Sequence, residues 1–360
     1  MKLSPVLLFW TYLAAGVVAT LWPFNFLQYN LASSSPSGGL VFKQPAIAFT
    51  QNAPSKLARL ERFTLELRLI SFSVRERACI LDYGTDEHHV NLRLQQENDQ
   101  LDVWVESAGG HPEAGLHIPH VFARIDTLTI TVSFDGVKLH AWINGGSRKT
   151  TQLGPGERLQ WDSSATLALG SLVDGQNGWR GELFSLSMID RSIEPAKTPV
   201  PASLRGNLVM SYDFTGPFRR LVPDVGSGAP NPLWIPERYT VPSRIILAPP
   251  THYNWHTRWF VFDMAGNVLA FFPFGFLGAI IFIRQRKSVV HGIVITLLAA
   301  FLFSLSVEML QAWLPTRNSS MVDLICNVVG AGIGTFFSRI SWIQAALKRF
   351  GPAWSDRSVT

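Results

Sequence analysis

Six carboxylate or amide side chains stand inside the apolar stretches between Asp263 and Gly334, and they fall into pairs. Asp263 and Asn267 are four apart, Glu308 and Gln311 are three apart, and Asp323 and Asn327 are four apart. On a helix each spacing puts both members of a pair on one face. Ionisable side chains are costly inside membrane helices, so three such pairs in apolar runs point to a site. Arg317 follows the second pair. Its guanidinium can pair with Glu308 or Asp323, or hold a phosphate. The candidate ligand-binding set is therefore Asp263, Asn267, Glu308, Gln311, Arg317, Asp323 and Asn327. If the chemistry is catalytic, Glu308 is the candidate general base and Asp323 the second catalytic candidate. The plainer reading is hydrogen bonding between helices, at roughly 1 kcal/mol per contact. In that reading Asp263 and Asp323 are N-caps.

Positioning these residues requires membrane helices. Apolar runs over Val6–Phe26, Phe260–Ile283, Val289–Leu314 and Met321–Phe337 each approach the ~20 residues needed to span a bilayer. Pro5 suits the first turn of the first run. Trp22-Pro23-Phe24 reads as an interfacial anchor, so that run is expected to be a retained helix and not a cleaved signal peptide. Pro273 is expected to break the second helix after Asn267, with an ordinary kink as the plainer alternative. Gly330, Gly332 and Gly334 would let the fourth helix approach another closely. The turn Arg284-Gln285-Arg286-Lys287 is short and basic and should be cytoplasmic. Glu308 then lies about 20 residues, or roughly 30 Å, further along a helix, at the outer boundary. Asp263 and Asp323 open their helices from outside. The N-terminus and the basic tail with Lys348 and Arg349 fall on the cytoplasmic side, and the residues between the first and second helices fall outside.

The motifs Asp263-x3-Asn267-x3-Phe271-x-Pro273-x-Gly275, Glu308-x2-Gln311-x3-Pro315-x-Arg317 and Asp323-x3-Asn327-x2-Gly330-Ala331, with Pro23-Phe24 near the start, resemble the VanZ-like family of bacterial membrane proteins. The resemblance covers the first thirty or so residues and about ninety near the C-terminus. It implies a multi-pass protein of the bacterial inner membrane, in a family with members linked to glycopeptide (teicoplanin) resistance. The large segment between the first two helices departs from the short loop of a minimal member.

That segment reads as β-structure. Phe63–Leu69, Val90–Leu94 and Leu101–Val105 alternate with period two. Leu128–Phe134 and Val137–Ile143 flank Asp135-Gly136 as a hairpin. Thr166–Gly170, Gly181–Ile189 and Asn207–Phe214 complete a set of short strands without amphipathic helices, which predicts a sandwich. Phe63-Thr64-Leu65-Glu66, Thr131 to Gly136, Trp142-Ile143-Asn144-Gly145, Leu169-Gly170 and Trp179 to Leu183 resemble a laminin-G-like, concanavalin A-like jelly roll. The resemblance implies a lectin-like role. Trp104, Trp142, Trp161 and Trp179 can stack on sugars, and Asp82, Asp86, Asp174 or Asn177 can hold calcium. The plainer reading is core packing for the tryptophans and turn chemistry for the rest. A retaining glycosidase needs two carboxylates about 5 Å apart, hence acids at alternate strand positions. No such run exists, because Glu66 and Glu182 each stand alone. His88-His89 lacks further ligands at metal spacing and reads as a solvated turn.

The expected fold is thus an α-helical membrane bundle of four transmembrane helices with an inserted all-β sandwich. The boundaries are 1–30 for the first helix, 31–215 for the sandwich, 216–258 for a proline-rich connector, 259–338 for helices two to four and 339–360 for a basic tail. The 360 residues suffice for two domains. A net charge of +5, with basic residues beside apolar runs, fits membrane topology and excludes nucleic acid as a partner. The two cysteines, Cys79 and Cys326, fall in different parts and predict no disulfide. No cofactor or structural metal is expected. The expected partners are the lipid bilayer and either a lipid-linked precursor or an envelope glycan. The oligomeric state is left open.

Overall fold

The computed structural model describes residues 4–51, 57, 60–85, 90–106, 114–146, 148–154, 158–159, 161–194, 207–226, 231–240, 244–252, 258–284, 288–314, 317–341, 343 and 345. The chain separates into two compact units. One is Leu27–Arg244; the other combines Met1–Phe26 with Ile245–Thr360.

The first unit is all β. Its strands in chain order are β1 (Gln28–Tyr29), β2 (Ser33–Ser34), β3 (Leu40–Phe42), β4 (Ala48–Thr50), β5 (Phe63–Ser71), β6 (Arg77–Gly84), β7 (Val90–Glu97), β8 (Gln100–Val105) and β9 (Ala114–Ile118). There follow β10 (Leu128–Phe134), β11 (Lys138–Ile143), β12 (Arg148–Gln152), β13 (Thr166–Leu169), β14 (Gly181–Ile189), β15 (Leu208–Asp213), β16 (Leu221–Val222), β17 (Leu233–Trp234) and β18 (Arg238–Tyr239). Two eight-stranded antiparallel sheets result. One runs β12-β11-β10-β5-β14-β3-β2, with β15 also on β14, and the other β16-β17-β4-β13-β6-β7-β8-β9.

Alternation explains the sheet that carries the hairpin. Phe63, Leu65, Leu67 and Leu69 point inward and are fully buried, and in register with them on β10 stand Phe134, Val132, Ile130 and Leu128. Each such side chain contributes about 1.5–3 kcal/mol on burial. The β10–β11 turn closes as expected. The Asp135 carboxylate accepts from the Val137 and Lys138 amides at 2.9 and 2.7 Å, and Gly136 takes φ +104°. That backbone conformation favours glycine.

Two parts of the unit differ from the sequence expectation. β6 reads Arg-Ala-Cys-Ile-Leu-Asp-Tyr-Gly and is buried on both faces, so it shows no alternation. The stretch expected to be a connector instead supplies β16 and β17 to the second sheet, through β4, and β18 to a pair with β1. Leu233, Ile235 and Tyr239 are buried there, and the Tyr212 hydroxyl donates to Asn231 O at 2.7 Å. Pro223, Pro232 and Pro236 limit these strands to two residues without preventing them, since proline is tolerated at strand ends and sheet edges.

The second unit contains α1 (Pro5–Leu21), α2 (Arg258–Arg284), α3 (Val289–Gln311) and α4 (Met321–Phe337). Phe260–Ile283 and Val289–Gln311 are long and apolar enough to cross a membrane. α1 and α4 are equally apolar but have 17 residues each. At 1.5 Å per residue they reach about 26 Å, slightly less than the ~30 Å hydrocarbon layer. α2 runs unbroken through Pro273, contrary to the expected break. The proline removes one helical bond, to Leu269 O, and the Tyr12 hydroxyl of α1 donates to the next carbonyl, Ala270 O.

α2 and α4 touch backbone to backbone. A Cβ at Gly275 would collide with the Ala331 carbonyl, one at Gly330 with Val268 O, and one at Gly334 with Phe272 O. Phe271, Phe274, Ala300 and Ala331 form the bundle core, with Phe303 against them. Both cysteines are free and buried.

Candidate functional site

Five of the six paired residues gather near the N-terminus of α4. Ser320 caps that helix, its hydroxyl accepting from the Val322 and Asp323 amides at 3.1 and 3.3 Å. The preceding residues are pinned by a short extended contact. Leu247 N donates to Ser319 Oγ, Ala248 N to Ser319 O, and Met321 N to Ala248 O. This fixes the Ser320 amide, which donates to Glu308 Oε2 at 2.8 Å. Glu308 lies in the last turn of α3 and is only 2% exposed. A carboxylate at the positive end of a helix gains from the backbone dipole as well as from the hydrogen bond.

Two further carboxylates approach from other helices. Asp323, half-buried in the first turn of α4, is within hydrogen-bonding reach of the Asn267 amide on α2. Asp263, one turn earlier on α2 and exposed, is close enough for its charge to act on both Asp323 and Glu308. One turn deeper, Asn327 Nδ2 donates to Ser304 Oγ at 2.9 Å, while Asn327 Oδ1 is buried without a partner. Asp263, Asn267, Glu308, Asp323 and Asn327 thus come together from three helices. Acceptors dominate, so the cluster suits hydroxyl or ammonium donors. Among the described residues no three His, Cys, Asp or Glu side chains are arranged to hold a metal ion.

Gln311 and Arg317 face another element. Gln311 Nε2 donates to Thr20 O and Arg317 Nη2 to Ala19 O, both at 3.2 Å and both at the end of α1. Arg317 therefore forms no ion pair with Glu308 or Asp323 among the described residues; it is exposed, with further donors to offer. The N-cap reading of Asp263 and Asp323 is also corrected. α2 begins at Arg258, five residues before Asp263, and Ser320 occupies the cap ahead of Asp323. Ser304 and Ser320 were missed by the spacing argument. Ser304 stands one helical turn before Glu308, a signal of the same kind as the three pairs.

In the β unit, the expected sugar-stacking residues separate. Trp179 has no exposed surface and Trp142 is 6% exposed, so neither offers a ring face to solution. Trp104 is half-buried, edge-on to His117 with centroids 5.1 Å apart. Asp82, expected to be able to hold calcium, is fully buried. Its oxygens take Arg93 Nε at 2.9 Å, Arg93 Nη2 at 3.4 Å and the Val173 amide at 3.0 Å. That set neutralises its charge and leaves no room for a cation. Asp174 accepts from the Gln176 amide at 2.9 Å, and Asn177 takes φ +49°, so both serve a turn. Asp86, His88 and His89 lie outside the described residues. Burial first, then the charge of Asp82, pushes the Cys79 thiol well above its usual range and leaves it unreactive.

Comparison with known proteins agrees with the resemblance drawn from the paired motifs. Residues 228–342 match the family model VanZ/LLP1. No curated protein matches the chain. Solved structures share parts of the β unit at low identity. A protein from Bacteroides ovatus described as carbohydrate-binding is 12% identical, with TM-score 0.38, over 53% of this chain and 56% of its own. The ligand-binding domain of botulinum neurotoxin serotype D, in complex with N-acetylneuraminic acid, is 10% identical with TM-score 0.37, over 46% and 43%. A heptameric SAP-like pentraxin from Limulus polyphemus is 13% identical with TM-score 0.36, over 58% and 94%. The chain spans about half the length of the first two. Likeness at this level assigns no ligand.

Proposed function

We propose that this VanZ-like protein with an inserted β domain is a multi-pass envelope membrane protein that holds the polar head of a lipid or lipid-linked envelope precursor. The observation that carries the reading is Glu308, a carboxylate buried among apolar helices, fixed by the Ser320 amide and faced by Asp263 and Asp323 from two other helices. A carboxylate whose only role was to join helices would meet a cation or several donors; this one accepts from a single amide and lies within electrostatic range of two other carboxylates. Buried like charges are costly unless a ligand supplies the missing donors.

In this reading all four helices lie in the membrane, the basic turn faces the cytoplasm, and the cluster sits at the outer leaflet. Gln311 and Arg317 tie α1 to that end, and Arg317 meets the phosphate of the ligand with its remaining donors. The β domain stands outside the membrane and binds a glycan or protein. Envelope polysaccharide assembly and glycopeptide resistance are the settings in which loss of the protein would be felt.

Native mass spectrometry of the detergent-purified protein beside Glu308→Gln tests the site. The wild type should retain a lipid or lipid-linked sugar that the variant loses. Equal, non-specific lipid in both would overturn the ligand reading. A product mass appearing only with wild type would make Glu308 a general base and the protein an enzyme.

A further inference from the structure

The β unit contains a cleft walled by Trp161, one of the tryptophans expected to stack on sugars. It has a volume of about 470 Å³ and lies where the residues before β5, the β10–β11 turn and the segment before β13 converge. This is within the range of small-ligand sites. Trp161 forms one wall. Its Nε1 donates to Leu60 O at 2.8 Å, and its ring is wedged edge-on against Phe63 and tilted on Tyr83, with centroids 5.7 and 5.8 Å away. The indole is therefore a fixed surface, half-buried, with the rest of it lining the cleft.

The charges around that wall are unequal in availability. Asp135 lines the cleft, but its carboxylate is taken by the amides of its own turn and by His140 Nε2 at 3.4 Å. Arg62 and Arg158 line it too, and neither forms an ion pair or side-chain hydrogen bond among the described residues. Glu61 likewise has no side-chain partner among the described residues. Gly136 borders Arg62: a Cβ there would stand in ordinary contact, 3.8 Å from Arg62 Nε. The cleft thus offers an aromatic surface, two free guanidinium forks and one free carboxylate. Guanidinium forks match carboxylates in geometry, aromatic rings match the apolar face of a sugar, and a lone carboxylate accepts from hydroxyls.

We propose that this cleft binds an acidic oligosaccharide, one containing uronic acid, with a sugar ring on Trp161, its carboxylate on Arg62 and Arg158, and its hydroxyls on Glu61. The inference rests on the reading that the β domain binds a glycan and gives that reading a site and a ligand class.

Calorimetric titration of the full-length protein in detergent, at about 0.15 M salt, tests it. The ligands are tetragalacturonate, hyaluronan tetrasaccharide and, as the neutral control, cellotetraose. At least one acidic ligand should bind about 10-fold or more tightly than cellotetraose, since a charge-assisted hydrogen bond is worth about a tenfold change or more. The double variant Arg62→Gln, Arg158→Gln removes exposed, unpaired charges and should fold normally while losing that preference. Trp161→Phe keeps the core contact and should weaken acidic ligands severalfold. Equal affinity for acidic and neutral ligands, or acidic binding untouched by the double variant, would overturn the cleft and leave glycan binding by the domain standing. Binding to none of the three would overturn the cleft and the glycan reading together.

Discussion

Two buried carboxylates, one in each unit, live under opposite rules. Asp82 in β6 is fully buried and meets a guanidinium twice and a backbone amide once. Glu308 in α3 is almost as buried, yet it accepts from one backbone amide and lies within electrostatic range of two other carboxylates. Arg93, held by Asp82 though burial opposes its charge, stays ionised. The first arrangement is complete in itself, as structural ion pairs must be, because an uncompensated buried charge is expensive. The second is incomplete, and incompleteness of this kind is what a binding site requires. Burial alone therefore does not distinguish structure from function; satisfaction of the buried group does.

The comparison is most easily broken at Asp82. Asp82→Ala leaves Arg93 buried without its partner and should cost the β unit about 3–5 kcal/mol. A chemical denaturation curve followed by tryptophan fluorescence reads this directly, and a loss below about 1 kcal/mol would remove the contrast. The next effect belongs to the helical unit. Gly334→Val puts side-chain atoms into the Phe272 carbonyl and should cost about 1–3 kcal/mol, the usual penalty of overpacking. It would appear as a lower melting temperature in detergent, with the β-unit transition unchanged.

A smaller effect sharpens the contrast from the solvent side. Burial is the largest single influence on the Asp135 carboxyl and raises it, but the Lys138 and Val137 amides and His140 together outweigh it and hold the group below its ordinary value of 3.8. A depressed folded-state pKa means a contribution that is fully present above the unfolded value and lost as pH falls through the folded one. Asp135→Asn should therefore lower stability by less than about 1 kcal/mol near pH 6, since the side chain is 40% exposed. The difference from wild type should shrink below about pH 4. Melting temperatures across pH 2.5–7 check the sign; a gap that widened in acid would contradict it.

Much of this organisation was legible in the sequence, for identifiable reasons. Met321–Phe337 and Gly181–Ile189 appear with the expected bounds, because one begins at a serine cap and the other alternates between glycine and loop. β6 was hidden because both of its faces are buried. β16, β17 and β18 were hidden because two-residue strands beside prolines exist only through their partners. In the site, helical spacing was enough to find Asp263, Asn267, Glu308, Asp323 and Asn327. It could not tell that Gln311 and Arg317 turn to Thr20 and Ala19, since a backbone carbonyl has no sequence signature. Trp179 looked available for a ligand because a tryptophan just ahead of a strand carries no mark of its burial.

The most direct test of the difference between the two carboxylates is made on a single preparation of Glu308→Gln, measuring melting temperature and retained lipid together. Glutamine keeps an acceptor for the Ser320 amide and removes an acidic group that lies near two other carboxylates. The account predicts a melting temperature unchanged or slightly raised, with the co-purifying lipid lost. A fall of several degrees with the same lipid retained would mean that Glu308, like Asp82, serves the fold.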